Sequence, residues 1–177
     1  SSRHDSTHAG SNEILRALPL GHRIEMDRGT SYYREIEGPP GAPTLLLLHG
    51  WMATGGLNWL RGFEALGEKL RVIAPDLAGH GRGLRTWRRF RLADCADDAA
   101  ELIDHLAAGP VIAVGYSMGG AIAQLLWRRH PERVRGLVLC ATGPSMVANW
   151  GQQVAFGGTM SAIAGAARIA QFSSQIP

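Results

Sequence analysis

Two cysteines, Cys95 and Cys140, are all that 177 residues contain, so no disulfide framework can hold this chain together. Lysine is almost missing too, with Lys69 the single one among 18 basic residues. No apolar run is long enough to span a membrane, because the most apolar stretch, 154–170, is broken by Gly157, Gly158, Gly165 and Arg168. The chain does not open on Met or on a charged segment followed by an apolar one. A secretion signal is therefore expected to be absent or already removed, and the expected location is soluble and cytoplasmic. After residue 117 there is no Asp, one Glu (Glu132) and one His (His130).

What is present is globular. Hydrophobic residues make up 45% and charged residues 19%, which excludes disordered, collagenous and coiled-coil chains. The length suits one domain. Net charge is +3, and the basic residues cluster once, at Arg82, Arg85, Arg88, Arg89 and Arg91. Asp94, Asp97, Asp98, Glu101 and Asp104 follow directly and are expected to answer them. With only Trp87 and Phe90 interleaved, the run reads as a solvated surface, and no nucleic-acid partner is expected.

Residues 1–19 are a polar tail and lead-in. From His22 to Glu37, β-prone residues flank a turn at Asp27-Arg28-Gly29, which predicts a hairpin. Four continuous apolar runs follow, Thr44 to Leu48, Arg71 to Ala74, Val111 to Val114 and Leu137 to Cys140, each suited to a strand covered on both faces. Between them, Leu92, Cys95, Ala96, Ala99, Leu102, Ile103 and Leu106 recur at helical spacing. A second helix is predicted from about Met118 to Arg129, ending at His130 before Pro131. The alternation predicts an α/β fold with a mostly parallel, doubly wound sheet. Residues 20–142 form its core, and 143–177, rich in Ala, Gly and Met, are expected to begin a cap.

Three motifs carry chemistry. Gly115-Tyr116-Ser117-Met118-Gly119 lies between a strand and a helix, where a sharp turn exposes a nucleophile and glycines two before and two after it remove colliding Cβ atoms. His49-Gly50-Trp51-Met52 leaves the end of the first buried strand, so the backbone N–H groups of Trp51 and Met118 are candidates for an oxyanion hole. Asp76-Leu77-Ala78-Gly79-His80-Gly81-Arg82 follows the second buried strand. With these motifs in this order the chain resembles the α/β-hydrolase superfamily, in its capped esterase, C–C hydrolase and haloperoxidase-like branch, over about His22 to Pro144. The resemblance implies the α/β-hydrolase fold, Ser117 as nucleophile, and Trp51 and Met118 as oxyanion donors. It also implies that His49, Gly50, Asp76, Gly79, His80, Gly81, Gly115 and Gly119 shape the site.

The family orders its triad Ser, acid, His, and here the sequence departs from it. His130 lies 13 residues along the helix from Ser117, about 20 Å at the helical rise, too far to act as base. His49 and His80 sit at strand ends but match structural positions. The chain therefore reads as the N-terminal portion of a longer, C-terminally incomplete hydrolase whose acid and His lie beyond residue 177. Two functions follow: a serine hydrolase of a carboxylic ester or related, hydrophobic acyl substrate, or a non-catalytic binding protein of the same fold. Neither a metal nor an organic cofactor is expected, since there is no ligand cluster and no dinucleotide fingerprint.

Overall fold

In a computed structural model, residues 18–143 are described. The expected cap from 144 onward and the tail before residue 18 lie outside the described residues. The predicted hairpin forms from β1 (Gly21–Met26) and β2 (Gly29–Ile36), antiparallel, with Met26 opposite Gly29. Gly29 has φ +126°, a conformation that side chains with a Cβ rarely adopt.

The four apolar runs are all strands: β3 (Thr44–Leu48), β4 (Arg71–Pro75), β5 (Val111–Tyr116) and β6 (Val134–Cys140). They pair in parallel, and the sheet order is β1-β2-β4-β3-β5-β6. β4 lies on one side of β3 and β5 on the other, so the chain reverses its direction of growth around β3. In α/β sheets that reversal opens a crevice at the carboxyl ends of the strands.

Among the described residues four α-helices cover the sheet: α1 (Gly55–Trp59), α2 (Phe63–Gly67), α3 (Leu92–His105) and α4 (Met118–Arg129). The first two lack a clear amphipathic period and are found only in the structure. They owe their place to burial: Phe63 packs with Leu45, Leu47, Val72 and Ala74 on one face of the sheet. Leu46 and Leu48 alternate to the opposite face, on the side of α4, and are wholly buried. Each such leucine stabilises the fold by about 1.5–3 kcal/mol. α4 ends at His130, as the following proline requires. At the other end of the sheet order, β6 leaves Val138 46% and Leu139 41% exposed.

The structure corrects the expected pairing of the acidic run. Arg28, from the hairpin turn, holds Asp94 and Asp98 at 3.1 and 2.9 Å. Arg129 and His130, at the end of α4, hold Asp97, and Arg133 holds Asp104. Glu101 accepts the Asp27 N–H at 2.7 Å. The acids are carried along α3 toward the hairpin turn and the end of α4, while the arginines stay behind in the loop that precedes the helix. Proximity in sequence does not become pairing in space.

Candidate functional site

The β3/β5 register sets Leu48 opposite Gly115, so the next residues, His49-Gly50 and Tyr116-Ser117, emerge side by side at the carboxyl edge. Ser117 has φ +52° and ψ −114°, a region that costs a non-glycine residue about 1–3 kcal/mol. Several contacts hold it there. Its N–H donates to the Cys140 carbonyl at 2.9 Å, and its carbonyl accepts the Gly120 N–H at 3.0 Å. A Cβ at Gly115 would collide with the backbone of Gly119, and one at Gly119 would collide with the carbonyls of Leu48 and His49. The G-x-S-x-G glycines are thus required by close backbone approach of β5, α4 and the end of β3.

Ser117 stands at the N-cap of α4, and Met118, the first helical residue, is buried. Its N–H has no acceptor within the helix, and the helix dipole favours negative charge at that end. Gly50 lies against the turn: a Cβ there would be 3.0 Å from Tyr116 Cδ1 and 3.6 Å from Ser117 Cβ. The structure therefore brings Trp51, next in the chain, and Met118 to the neighbourhood of Ser117. Among the described residues no side chain hydrogen-bonds the Ser117 hydroxyl.

His49 is fully buried and uses both ring nitrogens. Nε2 accepts the Leu77 N–H at 2.9 Å, which leaves the ring proton on Nδ1, 2.8 Å from the Gly50 carbonyl. Burial pushes its pKa down, reinforced by His80 and opposed by the Gly50 bond and by Asp76. A ring so engaged fixes loops and has no lone pair to spare for Ser117. Asp76, also buried, accepts the Gly55 N–H on Oδ1 and the Arg82 N–H on Oδ2, both at 2.9 Å. One carboxylate thereby ties the start of α1 to the loop after β4. Gly79 (φ +77°) and Gly81 (φ +50°) let that loop turn around it.

His80 donates from Nδ1 toward the Ala78 carbonyl at 3.0 Å, and its ring meets Trp51 edge-on at 5.0 Å. Phe90 completes the group, 5.5 Å from Trp51. Together with Met52 and Thr54 these rings line an open hollow of about 440 Å³. His130 is paired with Asp97 at the far end of α4. In the sequence Phe90 belongs to a run read as solvated, whereas it packs on Trp51, and nothing there points to Asn58, whose Oδ1 accepts the Gly50 N–H at 3.2 Å. Neither stands in a motif, and both reach the site by tertiary packing. Among the described residues no three His, Cys, Asp or Glu side chains are grouped to hold a metal ion. Burial pushes the Cys95 thiol up to about 12, so it stays protonated and is no rival nucleophile.

Comparison with known proteins bears on the fold. The family model described as "alpha/beta hydrolase fold" matches residues 43–159. The magnesium-chelatase 30 kDa subunit of Rhodobacter capsulatus is 44% identical over 102 residues, 56% of this chain and 36% of that protein. The pimeloyl-(acyl-carrier protein) methyl ester esterase of Nitrosomonas europaea is 36% identical over 117 residues, 65% of this chain and 44% of that one. Among solved structures, an N-acyl homoserine lactonase complexed with N-hexanoyl homoserine superposes with a TM-score of 0.66 at 32% identity, covering 75% of this chain and 48% of the other. The chain spans between a third and a half of the length of these relatives.

Proposed function

The chain belongs to the α/β-hydrolase fold family, and from that premise we propose that it carries the nucleophile of a serine hydrolase acting on a carboxylic ester or related acyl compound. The observation that carries this reading is the strained backbone of Ser117 at the N-terminus of α4. Ser117 Oγ gives its proton to the base and attacks the acyl carbon; the ester C–O bond breaks, the alcohol leaves with that proton, and water then cleaves the acyl-enzyme to the free acid and restores the serine hydroxyl. The negative charge that develops on the carbonyl oxygen is received by the N–H groups of Met118 and Trp51, assisted by the helix dipole. His49, Asp76 and Asn58 are positioning residues that keep the Trp51 loop against the Ser117 turn.

The base is a His, with its acid, that we place beyond residue 177, because no described side chain bonds the Ser117 hydroxyl. Names of relatives support the chemistry: one is a methyl ester esterase and another a lipase. The competing reading is a non-catalytic binding role for this fold; another relative is named as a chelatase subunit and not as a hydrolase. Labelling with a fluorophosphonate probe separates the two. The protein that supplies the base should be modified at Ser117 and not after Ser117→Ala; labelling that survives the substitution, or none in either form, overturns the hydrolase reading.

A further inference from the structure

We propose that the arginine-lined pocket next to the Trp51 loop is an anion site, and that it binds a phosphate or carboxylate group borne by the acyl substrate. This substrate class rests on the hydrolase reading above. The pocket measures about 240 Å³ and is walled by Arg28, Arg85, Arg88, Arg89 and Arg91, with Phe90 among them. Asp94 also lines the pocket and is paired with Arg28 at 3.1 Å, so the charge is neutralised from within at Arg28 and not at the other four arginines. Among the described residues every arginine ion pair uses Arg28, Arg71, Arg129 or Arg133. Arg28 is engaged by Asp94 and Asp98 and serves as the floor. Arg85 gives one N–H to the Gly81 carbonyl at 2.6 Å and retains its others. Arg88, Arg89 and Arg91 carry no carboxylate partner among the described residues.

Four guanidinium groups within seven residues repel one another, and an anion in their midst relieves that repulsion through forked, charge-assisted hydrogen bonds. The same corner holds the start of α3. Its N-cap, Arg91, provides no side-chain cap, so the first N–H groups of the helix add to the positive potential.

Position links the pocket to the chemistry. It shares Ala78, Gly79 and Phe90 with the hollow lined by Trp51 and His80. Phe90 touches Trp51, and Trp51 follows Gly50, which lies against Ser117. An acyl chain resting on Trp51 and Phe90 therefore has its scissile end toward Ser117 and its other end toward the arginines. A neutral ester would leave those charges unused.

Calorimetric titration of the Ser117→Ala chain with hexyl phosphate, hexanoate and 1-hexanol tests the site without calling on hydrolysis. At least one anion should bind about tenfold more tightly than the alcohol, a margin well above measurement error. The tighter of the two names the head group. Replacing Arg88, Arg89 and Arg91 together by Ala alters exposed side chains only, and should abolish the preference for the anion. Raising NaCl from about 50 mM to about 500 mM should weaken anion binding in the parent chain and leave the alcohol unchanged. Equal affinity for anion and alcohol, or a preference that survives both the triple substitution and salt, overturns the proposal. Anion binding that persists when fluorophosphonate labelling fails would sink the nucleophile assignment alone.

Discussion

His49 Nε2 accepts the Leu77 backbone N–H at 2.9 Å, so one buried imidazole joins the loop after β3 to the loop after β4. These loops carry Trp51 and His80, whose rings meet at 5.0 Å. The place of the Trp51 loop beside the Ser117 turn therefore depends on a buried histidine whose two ring nitrogens are both engaged by backbone groups.

Acid should loosen this joint. In the unfolded chain His49 takes up a proton near pH 6.5, while burial holds its folded pKa lower. Between those two values the unfolded state binds more protons, so stability rises with pH across that window. The contribution is complete above about pH 6.5 and is lost as pH falls toward the lowered folded value. Urea midpoints should decline on acidification, and His49→Gln should flatten part of that decline while lowering stability at neutral pH by about 1–3 kcal/mol. An identical slope in both proteins would count against the assignment.

Asp76 should be as sensitive. Asp76→Ala removes the acceptor of the Gly55 and Arg82 N–H groups at once. Hydrogen bonds to a charged group are each worth about 1.5–3 kcal/mol, so the loss should be at least about 3 kcal/mol in urea unfolding. Labelling at Ser117 should fall with it. A change under about 1 kcal/mol would show that the loops hold without the carboxylate.

Strain at Ser117 predicts the opposite sign. Ser117→Gly relieves a φ of +52° at ψ −114°, whereas Ser117→Ala keeps it. Glycine loses more entropy on folding, by about 0.5–1 kcal/mol, against about 1–3 kcal/mol of strain released. Ser117→Gly should accordingly be more stable than Ser117→Ala by about 1 kcal/mol, read as a difference in melting temperature. If the Ala variant is the more stable, the turn is not strained.

Without a base at Ser117, the 177-residue chain should be a poor catalyst. General-base assistance contributes about 10²- to 10⁴-fold, and turnover of p-nitrophenyl esters should be lower by that factor than in a form that supplies the His. Turnover equal to that form, lost on His80→Ala, would establish an unusual base instead.

Much of this was legible from sequence because backbone hydrogen bonding and burial act locally. Continuous apolar runs mark strands, and all four stand where the pattern put them, although β6, at the sheet edge, is only partly buried. Pro131 ends α4 at Arg129, with His130 as its C-cap, because the residue before a proline avoids the helical conformation. The strand, turn and helix around Ser117 are likewise set by glycines at fixed spacing. α1 and α2 are not legible in the sequence because each is five residues long and is held by core packing, of Trp59 for α1 and Phe63 for α2, rather than by any period of its own.

The sequence by itself determined the α/β architecture and the order of its motifs, since each is written in contiguous residues. Tertiary structure alone decided which charges meet. The acids of α3 were carried to Arg28, Arg129 and Arg133, leaving Arg88, Arg89 and Arg91 around an open pocket. It alone also gave His49 two backbone partners, one of them 28 residues away, and so settled its task as a joint. The physical reason is range: helix and strand form from neighbours in the chain, whereas charge pairing and loop anchoring depend on distances that exist only after the sheet has closed around β3.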